Sequence, residues 1–430
     1  MAFLKDRSPE ERAAFAREAQ KEYDDYRAMG LSLNMARGKP APEQLDLSDP
    51  LYNLTRAEVG VKAADGTDCR NYGVLCGLPE MKSLFGEIIG ADPDNVIVCG
   101  CSSLNIMFDY VSQCCTHGVD GGEPWLFCKN RKMIALVPGY DRHFSVAQYF
   151  GFELVNVPMT PTGPDMDRLE EIARDPDVKG MFCVPKYSNP DGVTFSEETV
   201  RRLAAMRTGA DDFRVIWDLA YTVHDLYGDD ADRLANVFEL AKQYGTEDRF
   251  IAVASTSKIT FAGAGVSAVA ASPANIAAIR KRMTVQIIGF DKINQLKHAY
   301  FYHNLDDIKA QMRRHATFLR PKFETVLRVL EEELGELGVA AWSRPKGGYF
   351  ISLDVLTGSA KEVWALCRDC GVTLTPVGAT FPYGNDPDDR NIRLAPSYPS
   401  LEEIELAAKV IAVSVKLAAC HALKDAAAGR

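Results

Sequence analysis

The chain has 430 residues, 47% of them apolar and 25% charged, with a formal net charge of −10. That length provides for one large and one smaller domain with ample buried core, and the acidic balance argues against a nucleic-acid surface, so acidic ligands must be met by a few placed cations. The opening residues Met1 to Asp6 lack the apolar core of a secretion signal, and no apolar run suggests a bilayer span, so a cytoplasmic protein without membrane contact is expected.

In chain order, Ser8-Pro9-Glu10-Glu11 reads as a helix start, with Ser8 as N-cap, Glu11 closing a capping box and Pro9 in the first turn; the helix runs to about Met29 and stops at Gly30. Arg37-Gly38-Lys39-Pro40 follows, a breaker carrying two cations in a segment expected to be irregular and functional. From about residue 70, short β-rich runs alternate with helical stretches. The runs are 95–99, 132–137, 152–157, 181–184, 213–217, 250–254 and 266–271, and the helices between them include 104–115, 166–174 behind an Asp165 cap, and 196–206. Seven such runs with crossover helices predict an α/β fold whose large domain is a seven-stranded, mostly parallel sheet sandwiched by helices. The helical pattern over 306–337 is broken by Pro321 and suits a linker between domains. Strands near 349–353, 372–376 and 392–395 with a closing helix from Ser400 predict a small α/β domain. The expected division is an amino-terminal helix and arm at 1–64 that joins the small domain, a large domain at 65–322 and a small domain at 323–430.

Eleven cysteines, scattered through apolar runs and helical segments, fit reduced buried thiols. Cys367-Arg-Asp-Cys370 is a lone CxxC without the second pair of a zinc site, and no metal centre is expected.

The chemistry is expected at Ser255-Thr256-Ser257-Lys258, directly after a strand-like run. An amine held at a sheet end can be desolvated and used as a nucleophile. Asp218 and Tyr221 follow the run ending at Trp217, and Asn189-Pro190-Asp191-Gly192 follows the run ending near Pro185. Polar groups at three successive strand ends suggest one cleft at the rim of the sheet.

The ordered set Tyr72-Gly73, Gly77-Leu-Pro-Glu80, Gly100-Cys101-Ser102-Ser103, Pro138-Gly-Tyr140, Asn189-Pro-Asp-Gly192, Asp218-Leu-Ala-Tyr221, Ser255-Thr-Ser-Lys258 and Asn391-Ile-Arg393 resembles the fold-type I pyridoxal-phosphate aminotransferases. The Arg-Gly-Lys-Pro arm and the run after Lys258 look like the divergent bacterial branch of aspartate aminotransferases. The resemblance implies pyridoxal 5'-phosphate as cofactor, held as an imine by Lys258, which also moves the substrate proton. It implies that Asp218 pairs with the pyridine nitrogen, that Asn189 and Tyr221 bond the phenolic oxygen, that Tyr140 stacks on the ring and that His143 supports Asp218. Gly100, Cys101, Ser102 and Ser103 with Ser255 and Ser257 would receive the phosphate, and Tyr72 would reach it from a neighbouring subunit, in a homodimer with shared active sites. Arg393 would grip the substrate α-carboxylate through its two parallel N–H groups, with Asn189 and the Gly38 backbone N–H beside it.

One departure stands out: many relatives have a phosphate-pairing arginine eight residues after the lysine, and this chain has Val266. For a second substrate carboxylate, Arg37, Lys39, Arg142 and Lys292 are the candidate cations. The expected reaction is ping-pong transamination of L-aspartate with 2-oxoglutarate, with amino acids and keto acids as the partners. The alternatives are an alanine or aromatic aminotransferase, or a pyridoxal-phosphate lyase. Gly263-Ala-Gly265-Val-Ser-Ala268 also fits a dinucleotide-binding fingerprint, but that motif needs a helix after it and a β-like run follows. A regulator's cofactor-sensing domain would need a basic DNA-binding module in front, where only a short helix stands.

Overall fold

The computed structural model describes residues 3–427, so the extreme ends of the first and last expected spans lie outside the described residues. The first long helix, Pro9–Ala28, begins with the reciprocal pair read from the sequence: the Ser8 hydroxyl accepts from the Glu11 N–H at 3.1 Å, and the Glu11 carboxylate accepts from the Ser8 N–H at 2.7 Å. Its buried face, Ala19 and Tyr23, packs on the closing helix Leu401–Ala427. A two-residue strand β1 (Leu33–Asn34) leads into the arm at 35–41, which has no helix or strand.

The large sheet contains β2 (Val96–Val98), β3 (Lys132–Val137), β4 (Glu153–Thr160), β5 (Gly163–Pro164), β6 (Val178–Cys183), β7 (Arg214–Asp218), β8 (Phe250–Ser255) and β9 (Ser267–Ala271), in the spatial order β2-β9-β8-β7-β6-β3-β4-β5. The pairs β3/β4, β3/β6, β6/β7 and β7/β8 are parallel, whereas β9 runs antiparallel to both neighbours. All seven expected runs are strands, and the eighth, β5, folds back on β4. A Gly-Pro pair has little strand propensity and is held by its turn, where the Thr160 hydroxyl donates to the Gly163 carbonyl at 2.8 Å.

Side chains alternate between two apolar layers, as the strand period of two requires. Ile134, Met181, Val215, Trp217 and Ala252 face one layer, and Met133, Ala135, Phe182, Ile216 and Val253 face the other. Both faces are covered, so the strands read as continuous apolar runs. Because β3, β6, β7 and β8 are parallel, the segments leaving their carboxyl ends emerge at one edge of the sheet. Those segments carry Tyr140, Asn189, Asp218 and Lys258.

The last third of the chain contains β10 (Ala340–Trp342), β11 (Ile351–Val355), β12 (Val372–Thr373) and β13 (Asn391–Leu394). An antiparallel sheet of order β10-β11-β13 sets Arg393 opposite Ser352, and β12 pairs in parallel with β1. Leu33 and Met35 thereby join the apolar cluster of the small sheet, while Leu51 lies in the large-sheet core. Helix Leu305–Leu334 runs unbroken through Pro321, contrary to the expected interruption. Leu319, Phe323 and Val326 around the proline are buried in the small-sheet cluster, and that burial outweighs the lost backbone hydrogen bond.

The closing helix corrects a second expectation, because Leu401–Lys424 is long and apolar enough by composition to cross a bilayer. Its apolarity is used inside the protein: Ile404, Ala408, Ile411, Val415 and Ala418 are buried, and the helix packs on the first helix, the 305–334 helix and helix Ala360–Asp369.

Candidate active site

The carboxyl-edge segments and the small sheet enclose a cavity of about 580 Å³. Gly38, Ser102, Ser103, Tyr140, Asn189, Asp218, Tyr221, Ser255, Ser257, Lys258 and Arg393 all line it. Lys258 lies at the end of a single helical turn, Thr256–Lys258, started by the Ser255 hydroxyl accepting from the Ser257 N–H at 3.0 Å. Its Nζ sits 4.6 Å from the centre of the Tyr221 ring. Amine and phenol are therefore neighbours in the same wall.

Asp218 is the last residue of β7 and is only 2% exposed. One carboxylate oxygen lies 3.1 Å from His143 Nε2 and the other, Oδ1, is buried with no hydrogen-bond partner. A buried carboxylate oxygen without a partner is costly unless a ligand donor completes it. His143 is fixed in turn by stacking on Phe182, with ring centres 4.9 Å apart, and by the edge of Tyr140 at 5.0 Å. Burial pushes the Tyr140 hydroxyl up to about 12, with Lys258 acting in the opposite sense. Burial and then the Asp218 carboxylate raise the Tyr221 phenol above its ordinary range, against the pull of Arg393. Both phenols therefore enter the site as neutral donors.

Arg393 comes from the small sheet and is 8% exposed. Its Nη1 donates to Asp141 Oδ1 at 3.0 Å and to Asn189 Oδ1 at 3.2 Å, and its Nη2 donates to the Thr375 hydroxyl at 3.3 Å. The Phe350 ring lies 4.9 Å beneath the guanidinium, and the buried Nε has no partner. Asp141 and Thr375 were not singled out in the sequence. Asp141 stands between Tyr140 and Arg142, but nothing local in that triplet indicates an arginine of another domain.

The remaining expected residues stand further back. The Cys101 carbonyl accepts from the Ser255 hydroxyl at 2.8 Å and from the Ser257 hydroxyl at 3.1 Å, so Cys101 braces the two serines from behind the wall. The Gly100 carbonyl accepts from the Ser267 N–H at 2.7 Å, which ties the turn to β9. Tyr72 is 83% exposed and is not part of the cavity wall of its own chain. Among the candidate cations, Arg37 and Arg142 line the cavity. Lys39 lies over the Tyr398 ring at 3.7 Å, and the Lys292 amine donates to the Gly73 carbonyl at 3.0 Å. The Gly263–Ala268 fingerprint leads directly into β9 rather than into a helix.

The family model described as Aspartate amino-transferase matches residues 7–426. The chain belongs to that family. This aminotransferase is 44% identical over 419 residues to an aspartate aminotransferase of Corynebacterium glutamicum, covering 97% of this chain and 96% of that one. A crystal structure of an aspartate transaminase from the same organism superposes with a TM-score of 0.95 at 43% identity, over 98% of this chain and 99% of the other. The α-aminoadipate aminotransferase LysN of Thermus thermophilus, solved with N-(5'-phosphopyridoxyl)-L-leucine, shares the fold at a TM-score of 0.73 and 22% identity, over 95% of each chain.

Pyridoxal 5'-phosphate is the cofactor of this aminotransferase. The residues present fit it: the cavity volume lies in the range of a small-ligand site, a primary amine and an uncompensated carboxylate oxygen share its wall, and four serines cluster at one end beside a helix start. Lys258 is the amine that could hold the aldehyde and Asp218 the acid that could meet the ring nitrogen. Ser102, Ser103, Ser255 and Ser257 could receive the phosphate.

Proposed function

We propose that this aminotransferase exchanges the amino group of L-aspartate with 2-oxoglutarate in two alternating half-reactions. The observation that carries this reading is the distribution of cations around one cavity. Arg393 is buried at the small-domain side with N–H donors to spare, and Arg37 and Arg142 line the same space. Among the described residues neither Arg37 nor Arg142 has an ion-pair or hydrogen-bond partner, so a substrate with two carboxylates can be met at both ends. The 44% identity to a Corynebacterium glutamicum aspartate aminotransferase supports the same substrate class.

Each residue then has a definite task. Arg393 binds the α-carboxylate, with the Asn189 amide and the Gly38 N–H beside it, and so orients the Cα–H bond. Lys258 Nζ would take the proton from Cα and hand it on to the cofactor rather than back to Cα, as transfer of the amino group requires. Asp218, positioned by His143, would meet the cofactor ring, and the Tyr221 hydroxyl would donate towards the ring oxygen. When bound, pyridoxal phosphate supplies the electron-accepting ring that makes Cα–H cleavage feasible. The arm at 36–38 and the small sheet exclude water above the amine. Tyr72, exposed in its own chain, serves the partner's phosphate in a homodimer.

Turnover against a panel of aspartate, glutamate, alanine and aromatic amino acids, with 2-oxoglutarate or oxaloacetate as acceptor, tests the assignment. Turnover confined to the dicarboxylic pair, with KM for aspartate raised at least tenfold by Arg142→Ala or Arg37→Ala, is expected. Activity confined to neutral amino acids would remove the aspartate reading and leave an aminotransferase of another specificity.

A further inference from the structure

The arginine assigned to the α-carboxylate already has an anion against it. Asp141 begins the helix Asp141–Tyr149 of the large-sheet unit, directly after Tyr140, whereas Arg393 lies on β13 of the small sheet. Their side chains meet at 3.0 Å across the cavity, with Arg393 8% and Asp141 35% exposed. The guanidinium donors can be counted. Both Nη1 hydrogens are engaged, by Asp141 and Asn189, and one on Nη2 by Thr375; the second Nη2 hydrogen and the buried Nε–H remain. A substrate carboxylate arriving at Arg393 thus finds two donors in place and a resident carboxylate on the far side of the same cation.

Two consequences follow, and they have opposite signs. As a hydrogen-bond acceptor, Asp141 locks the rotation of the guanidinium so that the remaining donors face the cavity, which favours substrate binding. As a charge, it neutralises much of the Arg393 field and repels the incoming α-carboxylate at short range, which weakens binding. We propose that Asp141 is a positioning residue of the α-carboxylate subsite that both aims Arg393 and attenuates it. The inference rests on the reading of Arg393 given above.

A reason for attenuation lies in the reaction type. A two-stage transfer must release one keto acid from the subsite before the second enters, and both carry the same α-carboxylate. Affinity for that group is shared by every bound species, so making it tighter slows release without speeding proton transfer. A counter-charge beside the arginine keeps the grip oriented and short-lived.

The two roles separate in two substitutions. Asp141→Asn keeps an oxygen acceptor for Nη1 and removes the charge; Asp141→Ala removes both. The holoenzymes are titrated with succinate, a dicarboxylate lacking an amino group, and with propionate, following the absorbance of the bound cofactor. KM and kcat for aspartate are measured in parallel. D141N is expected to bind succinate and propionate about tenfold more tightly, with lower KM and a kcat equal to or below the parent's. D141A is expected to bind both more weakly, with a raised KM.

A purely structural Asp141 would move both variants in the same direction. Weaker or unchanged anion binding in D141N, with the cofactor spectrum intact, overturns the proposal. Arg393→Gln is the control for the underlying reading. If it leaves KM and succinate binding unchanged, the assignment of Arg393 fails. If it abolishes binding while D141N leaves binding unchanged, only the proposal about Asp141 fails.

Discussion

Replacing Gly38 by alanine probes how the arm closes the site. Gly38 is not among the residues with positive φ, so alanine meets no backbone penalty there, and the obstacle is contact alone. An added Cβ would stand 2.5 Å from Phe350 Cζ and 2.8 Å from its Cε1, about 1 Å inside ordinary carbon–carbon contact. The Phe350 ring is buried, 4.9 Å from the Arg393 guanidinium and 6.4 Å from the Tyr221 ring. Either the ring moves and displaces Arg393, or the arm lifts from the rim. Overpacking by one methyl costs ~1–3 kcal/mol, and about 1.4 kcal/mol of it felt by the bound state is a tenfold rise in KM. Steady-state kinetics should show KM for both the amino acid and the keto acid raised about tenfold, with kcat changed less, because the arm binds rather than reacts. The cofactor absorbance and melting temperature, measured together, show that the site is loaded and folded. KM values within twofold of the parent for both substrates would refute the reasoning, since the methyl would then have been accommodated without touching the subsite.

Lys258→Ala should abolish turnover and the near-visible absorbance of the lysine-held cofactor, while the melting temperature stays close to the parent's; a variant that keeps both would move the chemistry elsewhere. His315 is fully buried, and Gln44, whose Oε1 accepts from the Ala41 N–H at 3.0 Å, is left to donate through Nε2 to His315 Nδ1 at 3.1 Å. Burial, then Arg314, lower the His315 pKa from 6.5 to about 4, so the unfolded chain takes up a proton first and stability falls as pH drops from 6.5 through about 4. Denaturant melts at several pH values should show a shallower loss over that window in His315→Gln, and an unchanged slope would exclude this residue as the cause. Val266→Arg should lower the melting temperature without improving cofactor retention during dialysis; improved retention at equal stability would show that position 266 can reach the phosphate end.

The large sheet was legible because its strands are buried on both faces and each appears as an uninterrupted apolar run. The three strands without a sequence signal, β1, β5 and β10, are short and derive their pairing from a neighbour: Leu33–Asn34 lies beside β12, Gly163 and Pro164 fold back on the end of β4, and Ala340–Trp342 forms the rim of the small sheet beside β11. Pro321 is a breaker by local propensity, and what keeps the helix whole, the burial of Leu319, Phe323 and Val326 around it, is tertiary and has no local signal. At the site, residues following strand ends could be placed on one rim by sheet logic alone, since parallel strands must deliver Tyr140, Asn189, Asp218 and Lys258 to the same edge. The Asp141–Arg393 pair could not be read in this way. It spans 252 positions and two sheets, and its existence depends on how the small sheet is set against the large one.

Val266 shows why one expected feature has no counterpart at its usual position. The segment after Lys258 returns to the sheet as a closed loop in which the Thr256 N–H donates to the Val266 carbonyl at 2.8 Å and the Val266 N–H donates to the Thr256 hydroxyl at 2.9 Å. That clasp turns the Val266 side chain, 2% exposed, into the apolar layer containing Trp217, Ala254 and Ala268. A guanidinium there would be a buried charge in an apolar layer, at a cost of several kcal/mol without a partner. On the proposed reading the phosphate end would be met first by the backbone N–H groups where helix Ser103–His117 starts, whose first turn carries no acidic residue, beside the hydroxyls of Ser255 and Ser257. Helix-terminal N–H groups suffice for an anion when they converge, and the Cys101 carbonyl, accepting from both serine hydroxyls, fixes the lysine turn beside them. On that reading, the turn closed by the Thr256–Val266 clasp would stand in the place of the arginine.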